Sequence, residues 1–272
     1  MVKSNVIYNL DGVNVAITSD HYPLYCDFKK PTGLEEYPKA EGDLRIGNYF
    51  LTYCKGTDGV IDYDRTGRII AKMNADIVCL QGLDKETERS EGIDQLNVLA
   101  QKANMYDYFA KAIDYKGGEF GVGILTKEEP VSVGRYQMAG KSEMRAAMVV
   151  EYEKFVVAST NFDTDMAKRI EALQTLETKL SAYNKPAFLL GYFNEGDLES
   201  EFFQMVKSNW NLLSADKSTE VSGKKRRLDF IVSLKSHNVN VTQADVIESL
   251  SGVDVTVAST HYPLFCDFSG LK

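Results

Sequence analysis

The sequence contains few of the residues that mark specialised classes of protein. Its 272 residues include 6 prolines, 3 histidines, 1 tryptophan and 4 cysteines. The cysteines show no CxxC spacing, which argues against a zinc site and against a dense disulfide framework. No apolar run approaches the roughly 20 residues that span a bilayer, and the first residues lack the pattern of a signal peptide. We therefore expect no membrane span.

The chain also lacks an excess of basic residues. Its 31 Lys and Arg residues against 39 Asp and Glu residues give a formal net charge of −8. This argues against nucleic acid as a partner, because binding to nucleic acid derives most of its free energy from basic side chains that neutralise phosphates. With 44% hydrophobic and 26% charged residues, the composition is that of an average globular domain, which excludes disorder and coiled coil.

One segment of the sequence occurs twice. Residues 6–28 align without gaps to residues 246–268, at an offset of 240 residues. Because this offset is the size of a domain, the repeat predicts tandem domains. Residues 1–28 would then be the tail of a preceding copy, residues 29–42 a linker and residues 43–272 the domain. Two alternatives stay open: the two similar strands compete for one position in a sheet, or residues 1–28 form a domain-swapped oligomer.

Hydrophobic periodicity predicts a mixed order of strands and helices. Helices are expected at 59–73, 92–103 and 166–182. Strands are expected at 44–53, 77–80, 120–125, 146–152, 155–160, 187–190, 228–233 and 253–259. Because strands and helices do not strictly alternate, we expect an α/β four-layer sandwich, in which two packed, mostly antiparallel (mixed) β-sheets are flanked by helices.

Seven motifs along residues 43–268 resemble, in order, those of the endonuclease/exonuclease/phosphatase superfamily, to which pancreatic deoxyribonuclease and bacterial sphingomyelinase belong. They are LRIGNYF at 44–50, DIVCLQGLD at 76–84, AIDYKGGEFGVGILT at 112–126, VVASTNFDTD at 156–165, LLGYFNEGD at 189–197, RLDFIVS at 227–233 and STHYPLFCDF at 259–268. The resemblance implies a phosphoester hydrolase in which oxygen ligands hold Mg²⁺ while a His and an Asp polarise a water molecule. It also suggests an exported bacterial protein.

Most catalytic positions that the resemblance implies carry another residue here. The substituted positions are Phe50 (for Asn), Gly82 (for Glu), Val122 (for Asn), Asn161 (for His), Tyr192 (for Asp) and Thr260 (for Asp). The positions that still match are Asn194, Asp229 and His261. Of the four carboxylates expected around the cation only Asp229 remains, and one carboxylate is a poor site for a strongly hydrated ion.

We therefore expect no bound metal, no other cofactor and no active catalytic residue. The hypothesis is a catalytically inactive domain of this fold that acts as a binding or regulatory module, with a protein or a small molecule as its partner. A metal-dependent phosphodiesterase or phosphatase with an atypical residual site is the first alternative. A redesigned variant of such a hydrolase is the second.

The residual polar residues have structural interpretations too. Since the triplet at 259–261 retains only its histidine, we expect His261 to hydrogen-bond a neighbouring loop. We expect Asp229 to bond backbone N–H groups or Asn194. The basic run at 223–227 is expected to be solvated, with phosphate contact as the alternative.

Two further groups of residues leave alternatives open. Phe50, Tyr192 and Val122 either fill the volume of the missing polar groups or line an apolar pocket for a sugar or lipid headgroup. The N-terminal copy retains an intact Asp-His pair, Asp20 and His21. Insertion of this pair into the site would restore neither the carboxylate at Gly82 nor the Asn at Phe50.

Overall fold

A computed structural model describes residues 3–6, 21, 24–27 and 37–272 of the chain. The chain divides into two compact units, Met1–Pro38 and Lys39–Lys272. In the first unit, strands β1 (Lys3–Val6) and β2 (Leu24–Asp27) form an antiparallel pair. Asp20 and most of the expected linker 29–42 lie outside the described residues.

The second unit contains two six-stranded sheets. The first sheet has the order β13-β14-β3-β4-β6-β5. Its strands are β3 (Leu44–Phe50), β4 (Ile77–Lys85), β5 (Tyr106–Tyr115), β6 (Gly118–Thr126), β13 (Asn240–Val246) and β14 (Leu264–Ser269). Only β3 and β4 are parallel neighbours in it.

The second sheet has the order β11-β12-β10-β9-β8-β7, with β9 and β10 as its parallel pair. Its strands are β7 (Ser132–Met138), β8 (Arg145–Glu151), β9 (Val156–Asn161), β10 (Ala187–Tyr192), β11 (Trp210–Leu212) and β12 (Asp229–Leu234). The expected fold class, two mixed and mostly antiparallel sheets with flanking helices, is confirmed.

Five α-helices among residues 37–272 follow capping signals in the sequence. They are α1 (Tyr63–Lys72), α2 (Gln95–Ala103), α3 (Met166–Ser181), α4 (Glu201–Asn209) and α5 (Val255–Ala258). A side-chain oxygen of the residue before each helix accepts a backbone N–H from its first turn: Asp62, Asp94, Asp165, Ser200 and Asp254. Such caps satisfy donors that have no partner inside the helix. Among the described residues, no helix has the length and apolar character needed to cross a membrane.

The core consists of two apolar layers. Between the sheets, Ile46, Cys79 and Phe268 of the first sheet pack with residues such as Val157 and Leu190 of the second. A second layer joins the outer face of the second sheet to α3 and α4. Both faces of β9 and β10 are covered, so all their residues except the last residue of β10 are buried, including the polar Ser159, Thr160 and Asn161.

The expected strand at 253–259 is wrong. Residues 255–258 form the short helix α5, because the Oδ1 atom of Asp254 accepts the backbone N–H of Thr256 and starts a helical turn. The expected helices 59–73 and 92–103 exist but begin later, at Tyr63 and Gln95, directly after their aspartate caps.

Candidate functional site

Three of the substituted positions and two of the matching positions meet where strands of both sheets end. Phe50 is the last residue of β3 and Tyr192 the last residue of β10, while Asp229 is the first residue of β12. Gly82 lies in β4, and His261 lies just before β14. The packing of the two sheets therefore brings together five positions that are far apart in the sequence.

Three rings form a cluster at this place, which we call the aromatic cluster: Phe50, Tyr192 and His261. The ring centroid of Phe50 lies 4.7 Å from that of Tyr192 and 4.7 Å from that of His261. The rings of Tyr192 and His261 are 4.8 Å apart and nearly perpendicular, at 74°. Tilted and edge-to-face arrangements of this kind stabilise ring pairs beyond the burial of their surface. Each ring thus contacts both others.

Gly82 provides space for this cluster. Its φ of 72° lies in the left-handed region, at a register shift in the pairing of β4 with β6. A Cβ atom added at Gly82 would lie 3.2 Å from Cε2 of Phe50 and 3.3 Å from the backbone nitrogen of Thr52. The Phe50 ring therefore occupies the space into which a side chain at position 82 would begin.

His261 has an aspartate partner, so the expectation that it lacks one is wrong. Its Nδ1 atom donates a hydrogen bond of 2.6 Å to Oδ2 of Asp229. The hydroxyl of Thr219 donates a second bond of 2.6 Å to the same oxygen. Asp229 and Thr219 are fully buried, and His261 is 5% exposed. The strand β12 thus supplies the carboxylate that the triplet 259–261 lacks.

The expected partners of Asp229, backbone N–H groups or Asn194, are also wrong. Thr219 is absent from the predicted site residues, although it bonds to Asp229 and to the residue after His261. Its Oγ1 atom accepts the backbone N–H of Asp229 at 3.1 Å. Its carbonyl accepts the N–H of Tyr262 at 2.8 Å, which anchors the His261 segment. No sequence motif pointed to this threonine.

The charge of the Asp229 carboxylate affects both neighbouring titratable rings. Burial opposes the charged form of His261, but the adjacent carboxylate outweighs this effect and raises the pKa of the imidazole above its usual value. Burial, together with the same carboxylate, raises the pKa of Tyr192. The aromatic cluster therefore contains a histidine that favours its protonated form and a tyrosine that favours its neutral form.

The two asparagines at the site contact each other. The Nδ2 atom of Asn194 donates to the backbone carbonyl of Phe162 at 2.7 Å and to Oδ1 of Asn161 at 3.3 Å. Asn194 has a φ of 54°, a left-handed conformation that asparagine tolerates better than most residues. These bonds tie the end of β9 to the loop that follows β10.

Val122 and Thr260 lie away from the ring contacts. Val122 belongs to the core between the sheets and is 2% exposed. Thr260 is exposed, and its hydroxyl lies 3.0 Å from the hydroxyl of Thr52. Of the three apolar or aromatic substitutions grouped together in the sequence, Phe50 and Tyr192 meet in the cluster, and Val122 fills the core.

A buried polar group lies next to the site, on β3, β4 and β9. The Nε2 atom of Gln81 donates to Oδ1 of Asn48 at 2.8 Å and to Oγ of Ser159 at 3.1 Å. All three residues are fully buried. The Nδ2 atom of Asn48 and the Oε1 atom of Gln81 have no hydrogen-bond partner among the described residues.

The two arginines of the basic run at 223–227 form ion pairs with acidic side chains. Arg226 donates two hydrogen bonds to the Glu220 carboxylate, which lowers the pKa of that group to about 2. Arg227 donates to the carbonyl of Ser214 at 2.6 Å and to Asp216 at 3.3 Å. A cavity of about 500 Å³ borders this loop and is lined by Asp197 as well as by arginines.

The described residues do not fit a magnesium ion. Among residues 3–6, 21, 24–27 and 37–272, no group of three or more His, Cys, Asp or Glu side chains is arranged to hold a metal. Mg²⁺ requires several hard oxygen ligands in octahedral geometry. At the site, the Oδ2 atom of Asp229 already accepts two hydrogen bonds, and its Oδ1 atom has no hydrogen-bond partner among the described residues. The nearby Glu220 carboxylate is bound by Arg226.

Of the intact pair in the N-terminal copy, only His21 lies among the described residues, and it is exposed. It belongs to the first compact unit. Its participation in any site stays a prediction.

Comparison with solved structures identifies the fold. An endonuclease/exonuclease/phosphatase from Bacteroides vulgatus superposes with a TM-score of 0.68 at 17% identity, covering 85% of this chain and 99% of the other. A protein of the same description from Beutenbergia cavernae gives 0.70 at 18% identity and coverages of 85% and 73%. A mannosyl-6-phosphatase from Bacteroides thetaiotaomicron gives 0.66 at 16% identity and coverages of 83% and 99%. No protein-family model and no curated protein sequence matches the chain.

Proposed function

We propose that this chain, which has the fold of the endonuclease/exonuclease/phosphatase superfamily, is a catalytically inactive member of it. In this proposal the domain is a binding or regulatory module of a tandem-domain protein. The observation that carries the proposal is the position of the Phe50 ring, against Gly82 and in contact with Tyr192 and His261. Side chains fill the place where the hydrolases would hold a cation.

The chemistry of the remaining groups supports the same proposal. Asn161, at the position of a catalytic histidine, has an amide that neither accepts nor releases a proton near neutral pH. The tyrosine at position 192 is half-buried and its pKa is raised, so it stays neutral and does not replace a carboxylate as a metal ligand. Loss of a general acid or base alone typically reduces a rate by two to four orders of magnitude.

In this proposal the Asp229–His261 pair has a structural role. The imidazole is 5% exposed, and its ring contacts Phe50 and Tyr192. Its Nδ1–H bond to Asp229 links the loop before β14 to the start of β12. The pair thus joins the two sheets at the edge where the hydrolases carry out their reaction.

Hydrolysis assays with metal test the proposal. The purified chain is incubated with Mg²⁺, Mn²⁺ or Ca²⁺ and with bis-p-nitrophenyl phosphate, DNA, sphingomyelin or a phosphoinositide. We expect no turnover above that of the Asp229→Ala variant, and no specific micromolar metal binding in isothermal titration. Metal-dependent turnover that disappears in Asp229→Ala or His261→Ala would refute inactivity.

One observation favours the second candidate, a phosphodiesterase or phosphatase with a residual site. A histidine whose Nδ1 is bonded to a buried carboxylate is the arrangement by which hydrolases orient a general base. The solved structure from Bacteroides thetaiotaomicron is named as a phosphatase. Here the pair would act with Asn194, and micromolar metal binding that is lost in Asn194→Ala would favour this candidate.

A further inference from the structure

The strand pair of the N-terminal unit has the register of the last strand pair of the domain. In the N-terminal unit, Lys3 is opposite Asp27 and Val6 is opposite Leu24. In the domain, β13 and β14 place Gln243 opposite Asp267 and Val246 opposite Leu264. Each pair of positions in the first unit becomes a pair in the second when 240 is added to both numbers. The repeat therefore extends from the sequence to the backbone hydrogen-bonding pattern.

In the domain, β14 also pairs with β3 along its other edge, from Leu264 opposite Asn48 to Phe268 opposite Leu44. Leu264, Cys266 and Phe268 enter the core between the sheets. These three residues recur as Leu24, Cys26 and Phe28.

The polar contact between β14 and β3 is retained in the sequence repeat as well. Arg45 of β3 donates hydrogen bonds of 2.6 and 2.7 Å to the two carboxylate oxygens of Asp267, and both side chains are buried. The guanidinium carbon of Arg45 also lies 3.9 Å from the ring centroid of Phe265. The N-terminal segment has Asp27 and the aromatic Tyr25 at these positions.

Among the paired strand positions, three of the four that differ lie on the strand that does not pair with β3. Lys3, Ser4 and Asn5 replace residues 243–245, which lie on β13 at the edge of the sheet and are partly exposed. A carboxylate is costly to bury without a cationic partner. The N-terminal segment retains this carboxylate, as Asp27, together with the apolar positions. This indicates that the segment pairs with a strand that carries an arginine.

We propose that β1 and β2 are the closing strand pair of a second unit of this fold. Leu24–Asp27 would pair with that unit's equivalent of β3, and Asp27 would bind its equivalent of Arg45.

The partner of β1 and β2 in this proposal is a unit of this fold that lacks its own closing pair. The β3 strand of the present domain already has β14 as its neighbour with every contact described above. A second copy of this chain has the same position filled. Exchange between two copies would replace each contact with an equivalent one, so it offers little free energy to offset the cost of association.

The first test asks whether the N-terminal strands fit a β3 strand. Because the remaining strand positions are identical, the substitutions Gln243→Lys, Ala244→Ser, Asp245→Asn and Phe265→Tyr convert β13 and β14 into β1 and β2. We expect the full chain with these four changes to stay folded, with a melting temperature within about 4 °C of the parent. Adding Asp267→Asn should lower it by about 10 °C in both backgrounds. Loss of cooperative unfolding in the fourfold variant, or no effect of Asp267→Asn there, overturns the proposal.

The second test asks whether residues 24–27 pair with such a strand in the full chain. The variants are Asp267→Asn, which weakens the resident strand, Asp27→Asn as its matched control, and the double variant. We expect Asp27→Asn alone to change neither the molar mass by light scattering nor the melting temperature. In the Asp267→Asn background, Asp27→Asn should remove a species of twice the mass or lower the melting temperature further. The proposal fails if Asp27→Asn has no effect in that background. A parent chain that is already dimeric, and that Asp27→Asn makes monomeric, would identify a second copy as the occupant and overturn the proposed one.

Discussion

The pair formed by Asp229 and His261 makes stability depend on pH. Their contact is 2.6 Å long and buried, and the pKa of His261 is raised in the folded chain. Glu220 adds to this effect, while Arg226 and burial oppose it. Protonation of the imidazole therefore stabilises the folded state. This contribution is complete below the unfolded pKa of about 6.5 and is lost as the pH rises through the folded pKa.

We expect the free energy of unfolding of the parent chain to fall more steeply than that of His261→Asn as the pH rises above about 6.5, the unfolded pKa of histidine. The asparagine amide keeps a hydrogen-bond donor near Asp229 but does not titrate. Urea unfolding of both proteins at several pH values measures the difference. Parallel curves over this range would show that folding leaves the pKa of His261 unchanged, which would contradict the prediction. His261→Ala, which leaves the carboxylate buried without this partner, should cost about 3–5 kcal/mol at pH 6.

Gly82 is expected to tolerate no side chain while Phe50 is present. The substitution Gly82→Ala should destabilise the domain by more than about 1–2 kcal/mol, which is the usual cost of a left-handed conformation, because the new Cβ meets the Phe50 ring at 3.2 Å. Gly92→Ala is a matched control, since Gly92 has a φ of 74° and a Cβ atom added there would have no neighbouring atom within 4 Å.

The excess cost of Gly82→Ala over Gly92→Ala should shrink in a Phe50→Ala background. Denaturant unfolding of the four combinations gives the coupling free energy between positions 50 and 82. An excess that does not depend on Phe50 would assign the strain to the backbone of Thr52, 3.3 Å from the same Cβ position.

Between the elements, a buried amide network connects β3, β4 and β9. Gln81 donates to both Asn48 and Ser159, and one polar atom each of Asn48 and Gln81 has no partner among the described residues. Removing one member of such a network leaves the other polar groups buried without partners, whereas removing both is nearly neutral. The network thus links Asn48 and Gln81 of the first sheet to Ser159 of the second sheet.

We expect Gln81→Met to destabilise the domain by about 1–3 kcal/mol. The double variant Asn48→Leu/Gln81→Met should recover most of this loss, because it also removes the Asn48 amide, which Gln81→Met alone leaves buried without its partner. Thermal and urea unfolding of the two single variants and the double variant measure the effect. Additive losses in the double variant would contradict the coupling.

The accuracy of the predicted elements followed their burial only in part, since β14, which is buried except for its last residue, is absent from the predicted strands. Strands β9 and β10 are covered on both faces, and both were predicted within a few residues, because β10 and the first half of β9 are apolar runs in the sequence. The edge strand β7 was missed, because its residues alternate between exposed and partly exposed positions and give no apolar period. Residues 253–259 contain three valines, which favour a strand, but the Asp254 cap starts a helix there.

At the scale of the whole molecule, the chain has two compact units. We expect deletion of residues 1–36 to leave the melting temperature of the remaining chain within about 4 °C of the parent. The truncation retains Lys39, which donates a 2.8 Å hydrogen bond to Asp76 within the domain. Calorimetry of the two proteins tests this, and a large loss would mean that the N-terminal residues contribute to the domain's own core.

The sequence by itself determined the fold class, the internal repeat and the identity of the substituted positions. Apolar periodicity and motif order are local properties, so they are readable from residues close together in the chain. Only the tertiary structure decided that Asp229 reaches His261, 32 residues away, and that Phe50 covers Gly82. Such contacts depend on how two sheets pack and on the conformation of the loops between strands. Their geometry follows from the balance of burial and hydrogen bonding over the whole domain, which no local pattern encodes.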